Sequence, residues 1–348
     1  MSVPPNFELV PCPGCGSREF TAAHVTHANE STGGESMQVV RCNQCGLHYL
    51  NPRPTAEYLL SFYPDDYAPY RLQRGEIERP WKIVTIARLL VMKNAYGRPD
   101  LRPTGIKKFW ATVMSWFKSP KSCGEAIAYF GSGRLLDFGC GAGTFLRRMR
   151  AMGWSGTGID FSEAPVKLVR NSGIPAYVGS LPCAELKPQS FDLITMRHVL
   201  EHIADPRTVL RAAIDLLAPG GELQIQSPNF SSFEIEHFGD AANMLDLPRH
   251  LIHWDVKTLR DMLEQCGYAN IEVRQVCKSN SMRKSARRMD RSVMTRLDRW
   301  MAKSTMVCRW MALRCEQTGR GNELIAKATR PATLQPAAIE GQVADALV

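Results

Sequence analysis

The sequence predicts an α/β protein: a doubly wound, seven-stranded, mostly parallel sheet, preceded by a small cysteine-bearing module and interrupted by helical inserts. Three observations lead there. From Arg134 onward, short apolar runs alternate with amphipathic stretches, the pattern of a parallel sheet wrapped by helices. The apolar run ending at Phe138 leads into a glycine turn, Gly139-Cys140-Gly141-Ala142-Gly143, that opens a helix. Ahead of it, Cys12-Pro13-Gly14-Cys15-Gly16 and Cys42-Asn43-Gln44-Cys45-Gly46 repeat one form, C-x-x-C-G.

In chain order, residues 1–54 are rich in Cys, Gly and Pro with alternating stretches such as Met37-Gln38-Val39-Val40, which suits a β-rich module. Residues 55–130 read as a helical, basic linker or lid: a short helix, a tyrosine-rich loop, then helical spacing from Trp81 to Met92 and from Phe109 to Phe117. Gly97, Pro99, Pro103 and Pro120 break that spacing. Within 131–330, strands are expected at 135–138, 157–159, 176–178, 191–196, 222–226, 271–276 and 323–328. Helices are expected at 144–151, 165–171, 206–217 and 256–266. Asp205 can cap a helix with Pro206 at its first position, Asp255 can cap the next, and Ala218-Pro219-Gly220-Gly221 is a stop signal. Residues 331–348 have no clear pattern and are expected to be flexible.

Composition narrows the functional classes. With 44% hydrophobic and 22% charged residues in 348, the chain can bury one large core and a satellite module, and disorder throughout is excluded. No run of 18 apolar residues occurs, and the first residues carry neither a charged nor an apolar leader pattern, so a cytoplasmic protein is expected. Eleven cysteines, an odd number with four in C-x-x-C pairs, favour metal ligation over disulfides. The net charge of +9 is uneven: residues 71–122 and 278–320 each hold 12 Lys and Arg against three acidic residues, so the remainder is net acidic. Any polyanion or membrane surface should therefore meet those two inserts.

The glycine turn alone is weak evidence, and two neighbours define its ligand. The third glycine stands two residues after the second, so the dinucleotide register G-x-G-x-x-G is not met. Asp137 places a negative charge beside the loop, unfavourable for a pyrophosphate and suited to an ammonium group. Asp160 ends the second strand 21 residues after Gly139, the spacing at which a carboxylate takes both hydroxyls of a ribose. A ligand with an amino-acid end and a ribose is S-adenosylmethionine.

Residues from about 130 to 330 resemble the class I S-adenosylmethionine-dependent methyltransferases, a Rossmann-like family, in particular the branch related to ubiquinone-biosynthesis O-methyltransferases. The resemblance rests on LDFGCGAGTFL at 136–146, GID at 158–160, FDLITMRHVLEHIADP at 191–206, LAPGGELQIQSPN at 217–229 and GNELIAKA at 321–328. It implies a seven-stranded sheet with an antiparallel last strand and a cofactor across the strand carboxyl ends. By the same resemblance Gly139, Gly141 and Gly143 face the methionine part, Asp137 its amino group and Asp160 the ribose. Relatives often place an acidic residue after the third strand; here Gly179-Ser180-Leu181 stands, leaving backbone and apolar contacts from Ser180 and Leu181 for the adenine.

Methyl transfer is an in-line displacement, so the enzyme aligns its reactants and, where the acceptor carries a proton, supplies a base. His198, after the fourth strand, is the first candidate base. His250, in Pro248-Arg249-His250-Leu251-Ile252-His253-Trp254, is the second; the plainer reading of each is a polar group that orients loops. His202 is expected to fix the start of a helix. No D-P-P-Y follows the fourth strand, which disfavours amino methylation of bases by that route, and Cys183 reads as a loop thiol.

Two knuckles supply four thiolates, Cys12, Cys15, Cys42 and Cys45, the donor set of a closed structural zinc site. The motif resembles a zinc ribbon found at the N-terminus of many methyltransferases of this branch. His24, His27 and His48 are then expected at the surface. In the insert at 278–320, Leu297, Trp300, Met301, Val307, Cys308 and Met311 recur at helical spacing over 296–314, with Arg296, Arg299, Lys303 and Arg314 on another face. Such a helix packs on the body, contacts a polyanion or lies on anionic lipid at the inner face of a membrane.

The expectation is a cytoplasmic methyltransferase using S-adenosylmethionine and a structural zinc, with a small-molecule, saccharide or lipid-linked acceptor. The runner-up is an RNA methyltransferase gripping nucleic acid through the ribbon and basic inserts. A non-catalytic zinc-ribbon binding protein comes third, disfavoured by the intact Asp137, glycine loop and Asp160.

Overall fold

The computed structural model describes residues 4–26, 35–63, 83–117 and 127–332. The tyrosine-rich loop, the helix start at Trp81, the break at Pro120, His27 and the tail beyond residue 332 lie outside these described residues.

In the N-terminal part, β1 (Phe7–Glu8) pairs with β5 (Arg53–Pro54), and β2 (Phe20–Val25), β3 (Gln38–Cys42) and β4 (His48–Leu50) form an antiparallel meander. Helices α1 (Ala56–Leu60), α2 (Ile83–Tyr96) and α3 (Gly105–Phe117) follow. The α/β part runs β6 (Arg134–Phe138), α4 (Thr144–Ala151), β7 (Ser155–Asp160), α5 (Glu163–Asn171), β8 (Ala176–Val178), β9 (Phe191–Arg197), α6 (Pro206–Leu216) and β10 (Leu217–Pro228). It continues with α7 (Phe233–Phe238), β11 (Ile252–His253), α8 (Val256–Gln265), β12 (Ala269–Val276), α9 (Ser279–Arg288), α10 (Arg296–Lys303), α11 (Thr305–Gln317) and β13 (Glu323–Thr329).

Seven strands make one sheet in the order β12-β13-β10-β9-β6-β7-β8. β6, β7 and β8 are parallel neighbours, while β13 runs antiparallel to β12. All seven strands and four helices expected from the alternation of apolar runs are present, with ends shifted by a residue or two in most cases. β10 is the exception: it begins at Leu217, directly after α6, so the expected stop Ala218-Pro219-Gly220-Gly221 lies inside an extended segment. Gly221 is needed there because a Cβ would sit 3.1 Å from the Phe191 carbonyl oxygen and 2.9 Å from that of Ala218.

The chain divides into two compact units: Met1–Pro64, Met196–Ile214 and Leu223–Val348 form the first, Asp65–Thr195 and Asp215–Glu222 the second. The second unit buries Leu135, Leu146, Met149, Trp154, Val166 and Leu193 together with Val91 and Met92 of α2. Helix α4 belongs to this core because Phe145, Leu146 and Met149 fall on one face while Arg147, Arg148 and Arg150 fall on the other.

In the first unit the four-cysteine module is not closed on itself. Its meander gains a fourth strand, β11, from two hundred residues downstream: Ile252 pairs with Tyr49 and His253 with His48. Leu251 ties the same segment to two further elements, its carbonyl accepting from the Leu50 amide and its amide donating to the Glu201 carbonyl. The two expected caps are formed, Asp205 accepting from the Thr208 amide at 3.1 Å and Asp255 from the Thr258 amide at 2.8 Å. The single helix expected over 296–314 is two, since Ser304 is extended and its hydroxyl caps α11 by accepting from the Val307 amide.

Candidate functional site

The second unit holds the glycine loop. Gly139, Gly141 and Gly143 all have positive φ, and the amides of Gly139 and Cys140 both donate to the Ile159 carbonyl, which clamps the loop onto the end of β7. Gly143, at φ +75°, has no room for a larger residue, because a Cβ would lie 2.7 Å from Cγ2 of Val169. Gly158 in β7 serves the same packing: its Cβ would meet the Cys140 sulfur at 2.7 Å.

Asp137, the penultimate residue of β6, is 3% exposed, and its Oδ1 accepts from the Thr195 hydroxyl at 2.7 Å. Burial drives its pKa up; the Thr195 hydrogen bond offsets this in part, the nearby Asp160 adds to it, and the result is about 7. Asp160 is also buried. Its Oδ2 accepts from the Gly141 amide at 2.8 Å and its Oδ1 from the Ser162 amide at 3.1 Å, so it fastens the middle of the loop. Burial raises the Asp160 pKa as well, against those two amides. Leu181 is buried and Ser180 half-buried beyond β8. A buried carboxylate that among the described residues is bonded to a hydroxyl alone suits an ammonium partner, and positive-φ glycines ahead of a helix suit close approach of a polar ligand. The donor chemistry fits the amino-acid end of S-adenosylmethionine.

The first unit holds a histidine and carboxylate cluster. His198, at φ +55°, lies between two fully buried acids, with Nε2 2.8 Å from Glu323 and Nδ1 3.4 Å from Glu201. Burial alone would lower its pKa; the two carboxylates overcome this and raise it to about 9. Glu201 in turn is held down to about 2 by His198 against its own burial, and also accepts from the Ser227 hydroxyl. Lys278 completes the group at 2.6 Å from Glu323.

His202 differs. Burial, with His250 beside it, pushes its pKa down to about 4, so it is neutral. Its Nδ1 lies 2.9 Å from the Arg249 carbonyl and 3.0 Å from the Tyr63 hydroxyl, and His250 Nδ1 lies 3.1 Å from the Met244 carbonyl. A carbonyl only accepts, so each ring carries a proton on Nδ1, and neutral His202 leaves its Nε2 as an acceptor. Glu201, His202 and His250 each present a ligand atom within 4.8 Å of the others, close enough to ligate one metal ion. Thr195, Glu201, Tyr63 and Glu323 are site residues that sequence reasoning missed. Glu201 adjoins His202 in the quoted motif and was within reach; Glu323 lies in a strand 125 residues from His198, with no local signal linking them.

The four cysteines of the first unit meet at one point, all sulfurs lying within 4.8 Å of one another. Cys12 and Cys45 are 3.5 Å apart, as are Cys15 and Cys42. Tetrahedral thiolates about 2.3 Å from zinc would be about 3.8 Å apart, so the spacing fits. Gly16 and Gly46 both adopt φ +79° and return their amides to the carbonyls of Cys12 and Cys42, closing two equivalent knuckles. Burial opposes ionisation of Cys12, Cys42 and Cys45, yet the amides of Cys45 and Gln44 bring the Cys42 thiol down to about 7. His24 pairs with Asp240 at 2.9 Å. His48, expected at the surface, is half-buried with its ring 4.6 Å from Phe230, because β11 covers its strand.

Residues 115–273 match the family model described as a methyltransferase domain. A ubiquinone biosynthesis O-methyltransferase of Pseudomonas aeruginosa is 37% identical over 103 residues, 28% of this chain and 44% of that protein. One from Bordetella pertussis is 38% identical over 95 residues, 25% of this chain and 39% of that protein. The chain thus spans less than half the length of the curated relatives it matches. Among solved structures, an S-adenosylmethionine-dependent methyltransferase from Archaeoglobus fulgidus is 20% identical, covering 57% of this chain and 86% of that one at a TM-score of 0.41. Residues 115–273 are thus similar to a methyltransferase domain, and ahead of them four cysteines meet at one point.

Proposed function

We propose that the protein transfers the methyl group of S-adenosylmethionine to a hydroxyl of a small-molecule, saccharide or lipid-linked acceptor, with zinc as a structural ion in the four-cysteine module. The observation that carries the reading is the buried Asp137 carboxylate beside a positive-φ glycine loop that Asp160 fastens. When bound, the cofactor supplies an electrophilic methyl on a sulfonium centre. Asp137 would hold its amino group, Gly139, Gly141 and Gly143 would admit its methionine part, and Asp160 would hold the ribose through lone pairs not used on the amides. Ser180 and Leu181 would flank the adenine. The name of the matched relatives supports oxygen as the acceptor atom and a ubiquinone-type precursor as the model for substrate class.

A hydroxyl acceptor must lose its proton. His198, expected as the first base, is held charged between Glu201 and Glu323, so it acts here as a fixed cation that organises two buried acids. His202, neutral with its proton on Nδ1, presents an unprotonated Nε2, and His250 beside it is the second candidate proton acceptor. Calorimetric titration with S-adenosylmethionine tests the reading: tight binding by the wild-type chain, lost in Asp137→Asn and Asp160→Ala with the fold retained, is the expected result. Equal binding by all three would remove the assignment.

A further inference from the structure

We propose that α10 and α11 form a docking surface for an anionic lipid bilayer. Both helices are apolar on two sides. Inward, Met301, Cys308, Ala312 and Cys315 are buried. Outward, Trp300 is 67% exposed, Met306 78%, Trp310 59% and Leu313 58%. On α11, Met306, Trp310 and Leu313 stand at i, i+4 and i+7, a single stripe, with Arg309 on one flank and Arg314 on the other. On α10, Trp300 is bordered by exposed Arg296, Arg299 and Lys303.

The inward residues account for the packing of these helices, which leaves the outward stripe unexplained by the fold. Large apolar side chains exposed in a contiguous patch mark a contact surface. Tryptophan and leucine on a face bordered by arginine is the composition of a helix lying in the plane of a membrane interface, rings at headgroup depth and guanidinium groups on phosphates. Charge decides among occupants. Along α10 and α11 the exposed cations are Arg296, Arg299, Lys303, Arg309 and Arg314, while of the acids Asp298 is buried and bonded to His237 and Glu316 accepts from the Cys277 amide. A second copy would set cations against cations. A nucleic acid would satisfy the arginines but offers no apolar phase to Met306 and Leu313. Among the described residues no helix is long and apolar enough to cross a membrane, so the contact is peripheral.

Co-sedimentation of the full chain with vesicles tests this, using phosphatidylcholine alone and phosphatidylcholine mixed with phosphatidylglycerol at physiological ionic strength. Binding to the anionic vesicles only is expected, at least tenfold weaker in Trp300→Ser/Trp310→Ser and about fivefold weaker for each of Arg309→Gln and Arg314→Gln. All four positions are exposed, so the variants should melt with the wild type. The proposal is overturned if neither vesicle binds, or if anionic binding survives both kinds of variant. It is equally overturned if the tryptophan pair instead converts a dimer to a monomer, or if the arginines hold RNA while vesicles are ignored.

Discussion

The Thr195 hydroxyl donates to Oδ1 of Asp137 at 2.7 Å, a neutral donor to a carboxylate that is buried at the end of β6 and has no salt-bridge partner among the described residues. Its pKa of about 7 has a direct consequence for pH. A carboxyl whose folded pKa lies above its unfolded value of about 3.9 costs stability as pH rises from about 4 to 7. Binding of an ammonium ligand requires the ionised form, so affinity for S-adenosylmethionine should rise as pH increases through about 7 and fall again above about 8, where an α-amino group deprotonates. Titration calorimetry across this range checks it; a flat profile for the wild type would contradict the pairing.

Gly143→Ala forces a Cβ into the left-handed region and against Val169. A loss of about 2 kcal/mol is expected, read from urea unfolding. The change should also weaken cofactor binding, since the loop and the start of α4 move together.

Cys42→Ser should lower bound zinc from one per chain to none, by elemental analysis of protein purified without added metal. Because β11 pairs with β4, the same variant should speed amide exchange at Ile252 and His253. Unaltered exchange there would show that the module and the segment around His250 are independent.

His198→Gln leaves Glu201 and Glu323 with Lys278 as the remaining cation of that group. His198 has its pKa raised by folding, so its stabilisation is complete below about pH 6.5 and lost as pH rises through about 9. The side chain is 37% exposed, and solvent screening reduces the effect to about 1 kcal/mol. Melting curves of the two proteins should converge between pH 7 and 10.

Much of this was readable in the chain because it is local. The glycine turn, Asp137 and Asp160 sit within 24 residues, and the two knuckles are self-contained repeats, so residue type and spacing suffice. Alternating apolar runs mark strands buried on both faces without reference to their neighbours. The rest depends on distant pairing. Two-residue β11 has no periodicity to detect, and its role exists only because Tyr49 and His48 need a partner edge. The charge state of His198 is fixed by Glu323, which reads in sequence as one more strand residue. The division at Ser304 is set by one extended serine in an otherwise continuous helical pattern.

The borrowed strand β11 also bears on biogenesis. As the chain emerges from the ribosome, the cysteines appear first, yet the edge of their sheet stays open until residue 253 has been made. An isolated fragment of residues 1–54 would carry every metal donor and still present a raw strand edge to other chains. All four thiols are therefore made long before the strand that completes their sheet.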